Sequence, residues 1–250
     1  MFIKKLFSLG LLSSLLISVS TAEIKEHFVP IVMDDMVVIV VVEDNENRIL
    51  YNGTIYGTVI SPYTGKTWLD RNLGATQVCT SSTDTDCYGD YYQWGRNFDG
   101  HQDSTSATTT TLVTNVNRTG SSFITPSSFP YDWTTADSGG SLRIANWSKI
   151  DGYSVCPVGF RVPTLAELKA ETLDNGVINT TTAFSNFLKL PASGHHDYSI
   201  GTVVDLGLEG DVWTSSVNDS YSYYVYFGSD YATESYYNRA NGYTVRCLRN

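Results

Sequence analysis

A β-rich, exported chain with two helices, stapled by disulfides, is the fold this sequence predicts, and three observations predict it. An apolar leader opens the chain, strand-like segments bounded by turn residues fill most of the remainder, and four cysteines stand in a chain marked for an oxidising compartment. Charged residues are only 17% and aromatics reach 13%, which supplies enough apolar surface for a core and excludes an intrinsically disordered chain.

In residues 1–22, Lys4 and Lys5 precede an apolar run from Leu6 to Val19, and Ser20-Thr21-Ala22 has the small-x-small form of a cleavage site. A cleaved signal peptide is therefore expected, with the mature chain beginning near Glu23. The apolar run falls short of the ~20 residues a spanning helix needs, so no stable membrane insertion is expected after cleavage. The first cysteine is Cys79, so lipid attachment through a leading cysteine is not expected either. The formal charge is −10, and loss of Lys4 and Lys5 makes it more negative by two, which disfavours nucleic acid and anionic membranes as partners.

Residues 23–53 read as an N-terminal extension in which the apolar run Met36 to Val42, set between Asp34-Asp35 and Glu43-Asp44, forms one strand. Asn52-Gly53 supplies a turn, and the main domain is expected from 54 to 250. Residues 102–122 are rich in Thr, Ser and Asn and are expected as a long surface loop. Strands are expected in "YGTVIS", "YYQW", "VWTSS" and "SYYVYF", and a final hairpin is expected to turn "SYYNR" into "YTVRCL" at Asn241-Gly242. In "RVPTLAELKAETLDNG", Thr164 and Glu167 have capping-box spacing and Asn175-Gly176 supplies the stop of a first helix. The second helix is "TTAFSNFLKLP", with Phe184, Phe187 and Leu188 on one face and Pro191 ending it.

Four cysteines allow three pairings. Cys79 and Cys87 enclose the short polar loop "TSSTDTD", while Cys156 opens the first helical unit and Cys247 lies in the last strand, so 79–87 and 156–247 are the expected bridges. A structural zinc site is disfavoured because no Cys-x-x-Cys or nearby His spacing is present.

The segments "YGTVISPYTGKTWLDRNLGA" (56–75), "CYGDYYQWGRNFDGHQ" (87–102), "CPVGFRVPTLAEL" (156–168), "LKLPASG" (188–194), "VWTSS" (212–216) and "GYTVRCLRN" (242–250) together resemble the family called the Fibrobacter succinogenes major paralogous domain. The resemblance covers about residues 54–250. It implies an α+β, C-type-lectin-like fold with small antiparallel sheets, two helices and long irregular loops, in a superfamily that includes formylglycine-generating enzymes and retroelement-diversified binding proteins. It implies no particular activity.

A formylglycine-generating oxidase needs a reactive cysteine pair near the C-terminal end, where this chain has only Cys247. The calcium-binding Glu-Pro-Asn or Gln-Pro-Asp loop of C-type lectins is missing. Asp205, Glu209 and Asp211 remain as candidate calcium ligands in an acidic, Gly-containing stretch; otherwise no cofactor is expected. His195 and His196 are adjacent, so in extended structure they point to opposite sides, and they read as surface loop residues.

Eight of the chain's 17 tyrosines fall between residues 218 and 247. In "SYSYYVYF" alternation sets Tyr223, Val225 and Phe227 on one face and Tyr224 and Tyr226 on the other, and one face is expected in the core. Tyr231, Tyr236 and Tyr237 stand among Ser, Asp, Asn and Gly, the composition of antibody paratopes, so these and Asn238 are candidate ligand-binding residues. Trp133 and Trp147 flank loop-like sequence and join the candidates as stacking platforms. The expected function is a non-catalytic binding or adhesion module, periplasmic, on the outer surface or extracellular, recognising a cell-surface protein or glycan. A formylglycine-generating-type or glycan-active enzyme and a structural envelope protein are the alternatives.

Overall fold

The computed structural model describes residues 48–250 in full and, ahead of them, the backbone of residues 25–33 and 36–44. The expected signal peptide, residues 1–22, lies outside the described residues. The chain divides into two units, one ending at Arg48 and one spanning Ile49–Asn250. In the first, the apolar run is not a lone strand: β1 (Lys25–Met33) and β2 (Met36–Asp44) pair antiparallel in register from Lys25↔Asp44 to Met33↔Met36.

The second unit begins at Ile49, a few residues ahead of the boundary expected at 53/54. The reason is local: β3 (Ile49–Tyr51) folds onto β4 (Thr54–Tyr56) across Asn52-Gly53, both at positive φ, and the Tyr51 hydroxyl donates to the carbonyls of Ser154 and Val155.

The unit is α+β, with small, mostly antiparallel sheets. One four-stranded sheet runs β10 (Phe160–Arg161), β17 (Leu248–Arg249), β6 (Thr67–Leu69), β5 (Thr58–Ile60). A second runs β12 (Thr202–Val204), β11 (His195–Asp197), β16 (Gly242–Tyr243), β7 (Tyr92–Gln93). The third and longest-stranded is β13 (Gly210–Asn218), β14 (Tyr221–Phe227), β15 (Ala232–Asn238), with β15 at its edge. A parallel pair, β8 (Thr108–Thr109) and β9 (Phe123–Ile124), lies within and just after the expected 102–122 loop. That loop is therefore irregular but anchored, with Val116 buried in a small cluster with Ile124, Trp133 and Ala240.

The first expected helix forms as α2 (Leu165–Glu171), with both halves of its capping box made between Thr164 and Glu167 and a left-handed Gly176 after a 3-10 turn. Arg161 and Lys66 converge on the same Glu167 carboxylate, and the Arg161 guanidinium holds its pKa far below the usual range. The second helix, α3 (Thr180–Ser185), is shorter than expected. Asn186 leaves helical geometry because its side-chain amide donates to the Glu171 carbonyl at the end of α2 and its Oδ1 accepts from the Leu188 N–H just after it. A further helix, α1 (Ser141–Trp147), carries no sequence cap at Gly140; Asp137 accepts from the N–H groups of Leu142 and Arg143 instead.

The expected final hairpin does not form. β15 pairs with β14, whereas β16 pairs with Gln93, Tyr92 and His196, and β17 pairs with β10 and β6. Between them Arg239 is fully buried and donates to the carbonyls of Ser138, Asp219 and Tyr221 and to the Ser222 hydroxyl, which turns the chain inward at the point where a local hairpin would have continued outward.

The β13–β15 sheet divides the core. Trp213, Tyr224 and, partly, Tyr226 pack into a cluster with Trp94, Trp147, Tyr243 and the Cys156–Cys247 bridge. Val212, Val225 and Phe227 pack on the other side with Leu168, Ala183, Leu188 and Leu190. Both faces of β14 are thus buried toward Phe227, where only one was expected, because α2 and α3 cover the side opposite Trp94, Trp147 and Trp213. The second bridge, Cys79–Cys87, closes the short polar loop.

Candidate functional site

Trp133 and Trp147 are not stacking platforms. Like the other three tryptophans they have no exposed surface, and their indole N–H groups donate to the carbonyls of Trp94 and Arg96. A buried indole needs such a partner, and each here is main chain, so the rings are committed to the core. Asn238 is also buried at 6% exposure; its side chain hydrogen-bonds Tyr198, so it supports the surface rather than facing a ligand.

Tyr231, Tyr236 and Tyr237 are exposed, at 58%, 49% and 43%. They do not form one patch. Tyr236 lies against Tyr223 and Tyr221, Tyr221 against Phe129, Phe129 against Tyr131, and Tyr131 against Tyr198, with successive ring centroids 5.1–6.4 Å apart. Burial raises the Tyr198 pKa, and the neighbouring Tyr237 and Tyr131 hydroxyls raise it further, which puts Tyr237 near this end of the run. The result is a continuous aromatic strip around the end of the edge strand β15, with Phe129 65% exposed. The loop holding Phe129 and Tyr131 is fastened there by the Ala240 N–H, which donates to the Tyr131 carbonyl. Tyr231 stands apart, at the other end of β15, its ring tilted against Tyr226 with centroids 5.1 Å apart.

Beside Tyr226 lies a second cluster. Glu209 and Asp211 are two residues apart on β13 and the residue leading into it, so they project to the same side. His195 on β11 reaches them across a close backbone approach: Gly194 and Gly210 form a parallel bridge, and the Gly194 N–H donates to the Glu209 carbonyl at 2.7 Å. Side chains are excluded there. A Cβ at Gly194 (φ +59°) would collide with the Val204 carbonyl, and one at Gly210 with the Phe227 ring.

His195 Nδ1 lies 3.2 Å from Glu209 Oε1 and 3.6 Å from Asp211 Oδ2. Burial disfavours the imidazolium, but the Glu209, Asp211 and Asp197 carboxylates outweigh it and raise the His195 pKa. Burial pushes the Asp211 carboxyl well above its usual range. Asp205 adopts a positive φ in the preceding turn and is not part of this group.

Neither histidine of the pair is a surface loop residue. Both belong to β11 and point oppositely, His195 to the carboxylates and His196 inward, where it stacks on Phe123 at 3.7 Å.

Other titratable groups lie elsewhere among the described residues. His101 is buried, its Nδ1 2.5 Å from Asp99 Oδ1, but its Nε2 accepts from the Gln93 N–H, so this Asp–His pair has no free ring nitrogen to act as a base. Burial lowers the His101 pKa to about 4. Asp90 lines a cleft of about 220 Å³ with Tyr51, Tyr56, Tyr92, Phe98 and Asp103, and burial raises its pKa to about 6.

These two groups act on stability with opposite signs. The folded-state pKa of Asp90 is raised, so its contribution is most favourable below about pH 4 and is lost as pH rises through about 6. The folded-state pKa of His101 is depressed, so its contribution is present above about pH 6.5 and is lost as pH falls toward 4. In the native protein the two windows overlap and offset. Asp90→Asn removes the first alone: at about pH 7.5 the variant is expected to be up to about 3 kcal/mol more stable than the native protein, and at about pH 3.5 no different. Urea unfolding at both pH values measures this, and equal stability at the higher pH would refute it.

His195 is the residue at the carboxylates that sequence reasoning did not place there, and the signal was slight: "SGHH" and "LEGD" each place a glycine beside a polar side chain. Nothing in the sequence connects Phe129, Tyr131 or Tyr198 with the distant β15. Comparison with protein-family models, with curated proteins and with solved structures gives no match.

Proposed function

We propose that this protein is an exported, non-catalytic binding module of C-type-lectin-like type, akin to the Fibrobacter succinogenes major paralogous domains, that recognises a protein or glycan at the cell surface through its aromatic strip. The observation that carries this reading is the strip itself: Phe129, Tyr131, Tyr198, Tyr221 and Tyr236, drawn from separate chain segments, form runs of ring contacts at the end of one edge strand, with the exposed Tyr237 next to Tyr236 in that strand. Tyrosine rings offer large amphipathic contact area with little side-chain entropy to lose, and their hydroxyls hydrogen-bond polar partners, which suits both protein and sugar faces. The two disulfides support export, as does the N-terminal leader. Among the described residues no helix is long and apolar enough to cross a membrane.

The test is binding of the oxidised protein to glycan and cell-surface protein arrays, followed by titration of any hit. Changing Tyr236 and Tyr237 together to Ser is expected to weaken binding at least about thirtyfold, as for paired hot-spot tyrosines, with little change in Tm because both rings are half exposed. Tyr231→Ser, away from the strip, is expected to weaken it far less. Undiminished binding by the Tyr236/Tyr237 variant would refute the assignment of the surface.

A further inference from the structure

We propose that His195, Glu209 and Asp211 form a binding site for one divalent ion of the zinc class. The three donor atoms lie within 4.8 Å of one another, with His195 Nδ1 3.2 Å from Glu209 Oε1 and 3.6 Å from Asp211 Oδ2. Ligands about 2.0–2.2 Å from a tetrahedral zinc ion stand about 3.3–3.6 Å apart, so the two separations that meet at His195 are already close to edges of that polyhedron.

A second observation points to a cation independently of this clustering. Asp211 is 2% exposed, and its Oδ2, the oxygen directed at His195, accepts no hydrogen bond. A buried carboxylate oxygen without a partner is costly, and an ion coordinated at that oxygen removes the cost. Two carboxylates and a neutral imidazole would also balance a doubly charged ion.

The donor set selects the class of ion. Calcium takes six to eight oxygen ligands, whereas one imidazole nitrogen and two carboxylates match zinc and its neighbours. Asp205, an expected calcium ligand, contributes nothing to the set. The surroundings are of the kind that orient metal ligands: the far nitrogen of His195, Nε2, lies 3.9 Å from Asp197 Oδ2, and Tyr226 hydrogen-bonds Glu209. The His195 and Glu209 side chains keep 15% and 20% exposure against 3% for Asp211, so an ion enters from their side and keeps a coordination position toward solvent, near Tyr231. An ion here would also join β11 of one sheet to β13 of another, which ties occupancy to the folded state.

The experiment uses the oxidised full chain freed of metal, titrated with Zn²⁺ against a chromogenic chelator, with Tm recorded in parallel. The expected result is one equivalent bound with a Kd of about micromolar or tighter, and a Tm raised by Zn²⁺ but not by millimolar Ca²⁺ or Mg²⁺. Asp211→Asn and Glu209→Gln are each expected to weaken binding at least about tenfold. Asp211 is a core residue, so the near-UV circular dichroism of the metal-free variants is compared with the native protein, and the more exposed Glu209→Gln decides the matter should Asp211→Asn fail to fold. Absence of stoichiometric Zn²⁺ binding, affinity unchanged by Glu209→Gln, or an equal response to Ca²⁺ would overturn the proposal. Its outcome is independent of whether the aromatic strip binds a partner.

Discussion

Replacing both Cys156 and Cys247 with Ala is expected to lower stability by about 4–5 kcal/mol. The bridge spans 91 residues of sequence, and in the chain-entropy model the constraint on the unfolded ensemble grows with the loop it closes. Its position adds to this. Both sulfurs are fully buried in the cluster of Trp94, Trp147 and Trp213, and the bridge sits beside the pairing of β10 with β17. For a unit of this size the loss corresponds to a Tm lower by about 10–18 °C. Cys79 and Cys87 enclose only a short loop, so their double Ala variant is expected to lose about 2–3 kcal/mol. Urea unfolding of the two double variants measures the difference, and a smaller loss at 156/247 than at 79/87 would rule out loop length as the controlling quantity.

The second large effect is expected at Arg143. Its guanidinium is fully buried, donates from both terminal nitrogens to the two oxygens of Asp132 at 2.7 and 2.8 Å, reaches Asp137 as well, and lies 5.1 Å from the rings of both Trp94 and Trp133. Arg143→Met retains much of the apolar volume but removes the bidentate partner of Asp132, leaving it only Arg239 at 3.6 Å, and leaves Asp137 with the N–H groups of α1 as donors. Breaking one side of a buried ionic network costs about 3–5 kcal/mol, mostly because the remaining charge stays desolvated. Combining Arg143→Met with Asp132→Asn removes one stranded charge and is expected to recover about 1–3 kcal/mol. A loss below about 1 kcal/mol for Arg143→Met, or no recovery in the double variant, would mean that the network carries little of the stability of α1 and its neighbours. Asp137 must be left intact in this test, since it also accepts from the first N–H groups of α1.

What was legible in the sequence was short in range. The Thr164/Glu167 capping box, the Asn52-Gly53 turn and the β14 strand are set by neighbouring residues, and the structure shows each of them. The two disulfides pair as loop length and element position indicated. Where distant contacts compete with a local signal, the local signal lost. Asn241-Gly242 has hairpin chemistry, yet the chain there pairs with Tyr92, Gln93 and His196, because burying Arg239 against three carbonyls redirects it. Asn186 likewise ends α3 early because its side chain has partners outside the helix.

The same division runs through the candidate sites. Composition alone marked Tyr231, Tyr236 and Tyr237 as exposed, because no apolar neighbours in sequence were available to bury them, and all three are exposed. Composition could not say that Tyr236 belongs to a strip completed by Phe129, Tyr131 and Tyr198, nor that Tyr231 belongs elsewhere, since ring contact is decided by how separate segments meet against the β14–β15 strands. Trp133 and Trp147 sit in sequence that looks like loop, and only the folded chain brings the carbonyls of Trp94 and Arg96 to their indole N–H groups. By itself the sequence determined the strand alternation, the cap of α2 and the exposure of Tyr231, Tyr236 and Tyr237, because each depends on residues a few positions apart. The tertiary structure decided which tyrosines share a surface and that His195 meets Glu209 and Asp211, because those depend on backbones that approach closely only after the sheets have packed.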